Sequence, residues 1–140
     1  MTEQTPKITA EQFRHLIEST IPLTRSWPFE VRSLGWGTAS IGLAFREEQL
    51  RAGGTLNGPT LMTLADTALY AAVLTRIGLE PLAVTSDLTF RFLRKPAPAP
   101  LIGDATLLRL GKRLAVGEVR IRSEGSDTIV AHATGTYALP

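Results

Sequence analysis

The sequence predicts an α+β fold in which one long buried helix is wrapped by a single curved antiparallel sheet. Two observations carry this. From Gly53 to Arg76 the chain reads GGTLNGPTLMTLADTALYAAVLTR, a glycine-rich turn opening into a helix whose only charge between Pro59 and Thr75 is Asp66. A helix that is apolar all round is expected to be buried all round. Around it stand two strand-like stretches before and four after, and one helix packed on one sheet buries both kinds of element. Such a sheet covers one side of the helix, so a second copy of the protein is expected to cover the other.

In chain order, Met1 to Lys7 reads as a frayed tail. The spacing Thr9-x-x-Gln12 resembles a capping box, and Ile8, Phe13, Leu16 and Ile17 form one apolar face of a short helix ending before Pro22. His15 lies on or beside that helix and reads as a surface or half-packed side chain. Beyond the Trp27-Pro28 loop come strands at about Phe29 to Leu34 and Thr38 to Phe45, joined at Gly35-Trp36-Gly37. In the second, Ala39, Ile41, Leu43 and Phe45 alternate with smaller or polar residues. Arg46 to Gly54 reads as a polar loop. The long helix follows, with Gly78 placed to stop it and Pro81 behind.

From Leu82 to Leu93 the alternation sets Val84, Ser86, Leu88, Phe90 and Phe92 on one face and Thr85, Asp87, Thr89 and Arg91 on the other. The run Lys95-Pro-Ala-Pro-Ala-Pro100 cannot be an interior strand. Three further strands are read at Leu101 to Leu110, Leu114 to Ser123 and Thr128 to Leu139, with turns at Gly111-Lys112 and Glu124-Gly125-Ser126-Asp127. The expected organisation is a single domain over 1–140, residues 1–25 forming the tail and short helix and 26–140 the core.

The chain of 140 residues, 44% of them hydrophobic, has a net charge of +2 and no cysteine. That excludes disulfides, thiolate nucleophiles and cysteine-bound metals. With no long block of like charge, the basic balance suits a rim for a small anion better than a nucleic-acid surface. The N-terminus lacks the basic-then-apolar run of a signal peptide, and Asp66 and several threonines interrupt the longest apolar run. A cytoplasmic protein with no membrane or nucleic-acid partner and no metal or resident cofactor is expected.

The chemistry centres on Asp66 and Gly58. An ionised carboxylate on an apolar helix costs several kcal/mol by rough estimate unless paired, hydrated or used. Gly58 stands where the helix begins, so its N–H has no intrahelical acceptor and lies at the positive end of the macrodipole, a donor for an anion or oxyanion. Pro59 fits the first turn, where a missing N–H is no loss. Gly58 and Asp66 are eight positions apart, about 12 Å at helical rise. One helix cannot bring both to the same reacting atoms, whereas two helices antiparallel across a twofold axis can. Asp66 as a structural carboxylate bonded to a neighbouring hydroxyl is the competing reading.

The stretch Gly54-Thr-Leu-Asn-Gly-Pro-Thr-Leu-Met-Thr-Leu-Ala-Asp66-Thr-Ala resembles the motif G-x-L-H-G-G-x-x-x-x-L-A-D-x-A of hotdog-fold acyl-CoA thioesterases of the PaaI-like, phenylacetate-degradation group. The likeness continues through Val84 to Arg94, Gly103 to Ala115 and Ala131 to Tyr137, covering about Trp27 to Leu139. The resemblance implies a hotdog fold assembled as a dimer or dimer of dimers, joined through the strand around Leu82 to Phe92. It implies hydrolysis of an acyl- or aroyl-CoA, with coenzyme A as part of the substrate. Asp66 matches the family's general base or nucleophile, Gly58 the glycine whose N–H polarises the carbonyl, and Thr85 a Ser/Thr that helps hold water. Arg94, Lys95, Lys112 and Arg113 stand where cations could meet the coenzyme A phosphates, though each also reads as plain surface charge. Leu61, Leu64, Tyr70 and Phe90 are expected to line the acyl pocket.

The sequence departs from the pattern at Asn57, where the family has His, and at Pro59, where it has a second Gly. Asn57 can still cap the helix and donate a hydrogen bond. Arg51 stands six positions before Asn57, where Asn or Gln is usual. It could hold Asp66 ionised or bind an anionic part of the substrate. A non-catalytic acyl-CoA-binding dimer on the same fold is the alternative function. A hotdog dehydratase fits less well, because His15 and His132 both lie outside the helix region.

Overall fold

The close packing of one helix into one sheet organises the computed structural model, which describes residues 4–140. In chain order the elements are α1 (Ala10–Thr20), β1 (Phe29–Gly35), β2 (Thr38–Leu43), the two-residue strands β3 (Leu50–Arg51) and β4 (Thr55–Leu56), α2 (Gly58–Ile77), β5 (Val84–Phe92), β6 (Leu101–Leu110), β7 (Leu114–Ser123) and β8 (Ile129–Ala138). The main sheet has the order β1-β2-β6-β7-β8-β5, and every neighbouring pair is antiparallel. After β2 the chain crosses through α2 to the far edge, so β5 ends the sheet with one side unpaired.

Both helices begin as their sequences dictate. Thr9 and Gln12 form the reciprocal cap of α1, at 3.1 and 3.0 Å. Asn57 caps α2 by accepting from the Thr60 N–H at 2.9 Å and the Thr60 hydroxyl at 2.6 Å. At the other end Gly78 takes a φ of 88°, a left-handed value that glycine adopts without steric cost, and closes α2 through Leu74.

The sheet face that receives α2 is lined by small residues. Ala105, Ala115, Ala131 and Ala133 are all at most 1% exposed. At Gly117 a Cβ would stand 2.5 Å from Leu69 Cδ1 and 2.9 Å from the Thr106 carbonyl oxygen. At Gly135 it would stand 2.8 Å from Leu88 Cδ1 and 2.9 Å from Leu69 Cδ2. Leu69 therefore fills the space these two glycines leave open on adjacent strands.

Four expectations are corrected. Arg46 to Gly54 is not a plain loop: it holds a 3₁₀ turn at Glu47–Gln49 and most of the β3–β4 hairpin, with Gln49 buried. A glutamine in that polar run can be buried because its side chain bonds the Ala44 carbonyl and the Arg46 N–H. The expected frayed tail is pinned at its end. Lys7 N–H donates to the Thr75 carbonyl at 2.8 Å, while Met1 to Glu3 lie outside the described residues. The chain itself covers part of the helix's second side, because α1 lays Phe13 and Ile17 on it, with Phe13 meeting Tyr70 edge-on at 5.9 Å.

The fourth correction concerns β5. Its alternation breaks between Thr85 and Asp87, where an irregularity in pairing with β8 inserts an extra residue. A bulge shifts side-chain phase by one, so Thr85 shares the helix-facing side with Leu88 and Phe90 instead of opposing them.

Replacing Gly117 with Ala forces a methyl against Leu69 and the Thr106 carbonyl, and an expected loss of about 1–3 kcal/mol follows from the overpacking. Leu108→Ala, at a position 58% exposed, is expected to change stability by under about 0.5 kcal/mol. Urea unfolding of both variants measures the difference.

Candidate active site

The stripe of α2 left open by the sheet and by α1 contains Pro59, Met62 and Thr63, all exposed, and Asp66, which is half-exposed. Asp66 is thus not enclosed as the apolar helix implies. It is partly open to solvent and lines two flanking clefts.

Its carboxylate is held from the sheet side. The Tyr137 hydroxyl donates to Asp66 Oδ1 at 2.7 Å, and the Thr85 hydroxyl donates to the same oxygen at 2.8 Å. Thr85 and Tyr137 face each other across the β5–β8 pair, and the bulge is what turns Thr85 toward the helix. The Tyr137 ring is stacked on Tyr70, with centroids 5.4 Å apart and planes at 5°. Tyr70 in turn donates to the Glu80 carbonyl at 2.9 Å.

Burial, reinforced by the nearby Glu80 charge, pushes the Tyr70 phenol up to about 12. Burial first, and the Asp66 charge second, raise the Tyr137 phenol still further above its ordinary value. Both rings therefore stay neutral, and Tyr137 remains a proton donor across the working pH range. A cavity of about 270 Å³ opens beside Asp66, lined by Ile21, Tyr70, Ala83, Val84, Thr85 and Tyr137 among others.

Gly58 faces a different space. It lines a cavity of about 360 Å³ together with Leu56, Leu61, Phe92, Leu93 and Pro96, and Arg51, Arg94 and Lys95 supply its polar part with no acidic residue among them. The Phe92 ring lies over the helix start, its Cζ 3.4 Å from where a Gly58 Cβ would be. Within one chain, then, the candidate acid and the candidate oxyanion donor line separate cavities.

A family model described as the thioesterase superfamily matches residues 53–130. The chain belongs to the thioesterase superfamily. Its fold is the hotdog fold of the PaaI-like group, with α2 as the central helix. A solved candidate thioesterase from Silicibacter sp. is 38% identical, covering 96% of this chain and 94% of its own, with a TM-score of 0.86. A variant of the phenylacetic acid degradation protein PaaI from Thermus thermophilus is 30% identical, with a TM-score of 0.75, over 85% of this chain and 99% of its own. A candidate esterase from Pseudomonas aeruginosa is 31% identical over 93% of this chain and 96% of its own.

In this superfamily member the expected site residues separate into groups. Asp66, Thr85 and Tyr70 come together, and so do Gly58, Arg51, Leu61, Arg94 and Lys95. Asn57 acts as the α2 cap and lines a third cleft with Trp27 and Thr60. Arg51 does not reach the Asp66 cavity, so within a chain it does not hold that carboxylate.

Two pocket expectations are corrected. Leu64 is fully buried against Gly103, since it faces the sheet and not a cavity. Phe90 packs on the core, and Phe92, two positions on, forms the cavity wall instead. Lys112 and Arg113 sit at the opposite end of the sheet, beside Ala138 and Val84, so one chain does not join them to Arg94 and Lys95.

Tyr137 was not legible as a site residue. Its only signal was an in-phase position with Ala131, Ala133 and Gly135 on a helix-facing strand side. Among the described residues no helix is long and apolar enough to cross a membrane.

Tyr70 and Tyr137 are the only tyrosines in the chain, which makes their protonation directly observable. The tyrosinate absorbance band of the folded protein is expected to stay absent at about pH 10, where free tyrosine is half-ionised. It should begin to rise only toward about 12, through Tyr70. Because both folded-state values are raised, their stabilising contribution is complete below about pH 10 and is lost as pH rises through the folded values. Denaturant titrations should show stability falling over that alkaline window, and less so in Tyr70→Phe.

Proposed function

We propose that this protein hydrolyses an acyl- or aroyl-CoA thioester as a homodimer whose two sites each combine Asp66 of one protomer with Gly58 of the partner subunit. Thioester hydrolysis is the chemistry that superfamily membership supports. The observation that carries the dimeric site is the separation of Asp66 and Gly58 into two cavities of one chain, each lacking what the other has.

The exposed edge supports pairing. β5 runs nine residues with one side unpaired. In and around it Leu82, Val84, Phe92 and Leu93 are 70, 56, 53 and 54% exposed. A long edge with exposed apolar residues is a template for another strand. Antiparallel pairing through β5 would bring the Val84 end of one chain to the Phe92 end of the other. That arrangement sets Asp66 opposite the partner's Gly58, and the Lys112-Arg113 turn toward the partner's Arg94 and Lys95.

In this reading Asp66 takes a proton from water as the water oxygen attacks the thioester carbonyl carbon, or attacks that carbon itself and is later released by water. The carbonyl oxygen, becoming an oxyanion, accepts from the N–H of the partner's Gly58. Collapse breaks the carbon–sulfur bond, and the departing thiolate takes the proton that Asp66 accepted from water, or one from solvent on the nucleophilic route. Arg51, Arg94 and Lys95 would meet the coenzyme A phosphates. The cavity beside Asp66 has no cation and two neutral phenols in its lining, so a compact uncharged acyl group suits it.

Release of free thiol from a panel of acyl-CoAs tests this. Asp66→Asn and Asp66→Ala are expected to lower turnover by at least ~100-fold; tight binding with no turnover in the parent would instead support a binding protein. Gly58→Pro deletes the donor N–H at a position where proline fits a helix start, its added Cβ at ordinary contact distance from the Phe92 ring, and an expected kcat loss of about 100- to 1,000-fold follows. Re-associating Asp66→Asn with Gly58→Pro chains should regain about half the parent activity per mixed dimer, since one of its two sites is intact. No recovery in verified mixed dimers would rule out the shared site.

A further inference from the structure

We propose that Tyr137 is a positioning residue that anchors Asp66 through Oδ1 and leaves Oδ2 as the reacting oxygen. The inference rests on the reading of Asp66 as the reacting carboxylate. Tyr137 lies outside the residues 53–130 that the family model matches.

A carboxylate has two equivalent oxygens and can rotate about its last bond. Here the symmetry is broken. Both hydroxyl donors, Tyr137 at 2.7 Å and Thr85 at 2.8 Å, converge on Oδ1. Among the described residues Oδ2 has no hydrogen-bond partner. Two donors arriving from two strands fix Oδ1 and with it the plane of the carboxylate, so Oδ2 is the oxygen left unengaged. A base held in one orientation serves proton transfer better than one sampling several.

The anchor is itself fixed. Tyr137 is 4% exposed, so its phenol has little freedom. Its ring stacks on Tyr70, and Tyr70 meets Phe13 of α1 edge-on at 5.9 Å. Three rings thus run from the N-terminal helix to the hydroxyl that holds Asp66. The Tyr70 hydroxyl is bonded to the Glu80 carbonyl, which stops that ring from turning. The titratable groups facing Asp66 from these elements are Tyr70 on α2 and Tyr137 on β8, with Glu80 acting on Tyr70.

Tyr137→Phe removes one hydroxyl and keeps the ring stack, so thermal unfolding should confirm a folded protein. The expected result is a kcat lowered by about 10- to 100-fold with KM changed by less than about threefold, as for a misplaced catalytic group. A second readout needs no turnover. In ¹³C carboxylate spectra at neutral pH, with the Asp66 signal assigned by its loss in Asp66→Asn, that signal should change its chemical shift in Tyr137→Phe, because Oδ1 has lost a donor. Unchanged kcat together with an unmoved carboxylate signal would overturn the proposal. A parent without turnover would defeat the thioesterase reading, and the carboxylate signal would still decide whether Tyr137 anchors Asp66.

Discussion

How closely α2 approaches the sheet governs the remainder of the molecule. Gly117 and Gly135 leave room for Leu69 where any side chain would collide. The alanines on β6, β7 and β8 keep the same face shallow. Burial of Leu61, Leu64, Leu69, Val73 and Leu74 follows, each at most 1% exposed. At roughly 1.5–3 kcal/mol per buried aliphatic side chain, these residues are a large part of the core's contribution to stability. A helix held this tightly has little freedom to rotate, and its one acidic residue is therefore delivered to a fixed place.

That place is a compromise between burial and access. Asp66 faces the stripe that neither the sheet nor α1 covers, so it keeps contact with solvent on one side. On the other side it receives two neutral hydroxyl donors. Hydrogen bonds to a charged group are stronger than those between neutral partners, about 1.5–3 kcal/mol each. They stabilise the carboxylate without a cation, and both fall on one of its two oxygens. The bulge in β5 is part of the same arrangement. Without the extra residue at that point Thr85 would face away from the helix, and one of the two donors would be lost.

The two cavities are complementary in character. The space around Gly58 is cationic at its rim and apolar at its wall. The space around Asp66 is smaller and holds no cation, with Asp66 its one charged lining residue. Neither contains both Asp66 and Gly58, and β5 with its unpaired edge adjoins both of them. The exposed apolar residues along that edge are costly in an isolated chain and become useful when the edge is shared.

Much of this was readable in the residues themselves, for definite reasons. Thr9 with Gln12, Asn57 with Pro59, and Gly78 are local signals, and each produced the helix end it implied, because capping involves only a few adjacent residues. The strands after α2 were equally plain, since period-two alternation is set by the pleat. What failed were features decided by contact between distant segments. The β5 bulge shifted a phase that alternation alone had placed on the wrong face. Leu64 and Phe90, expected in the acyl pocket, pack into the core once the packing is fixed, and Phe92 forms a cavity wall instead. Tyr137, the partner that bonds Asp66, lies 71 positions away in sequence. The sequence by itself determined which residue carries the charge on an otherwise apolar helix. Only the tertiary structure decided which oxygen of that residue is held and by whom, because hydrogen-bond partners are chosen by three-dimensional proximity and leave no periodic trace along the chain.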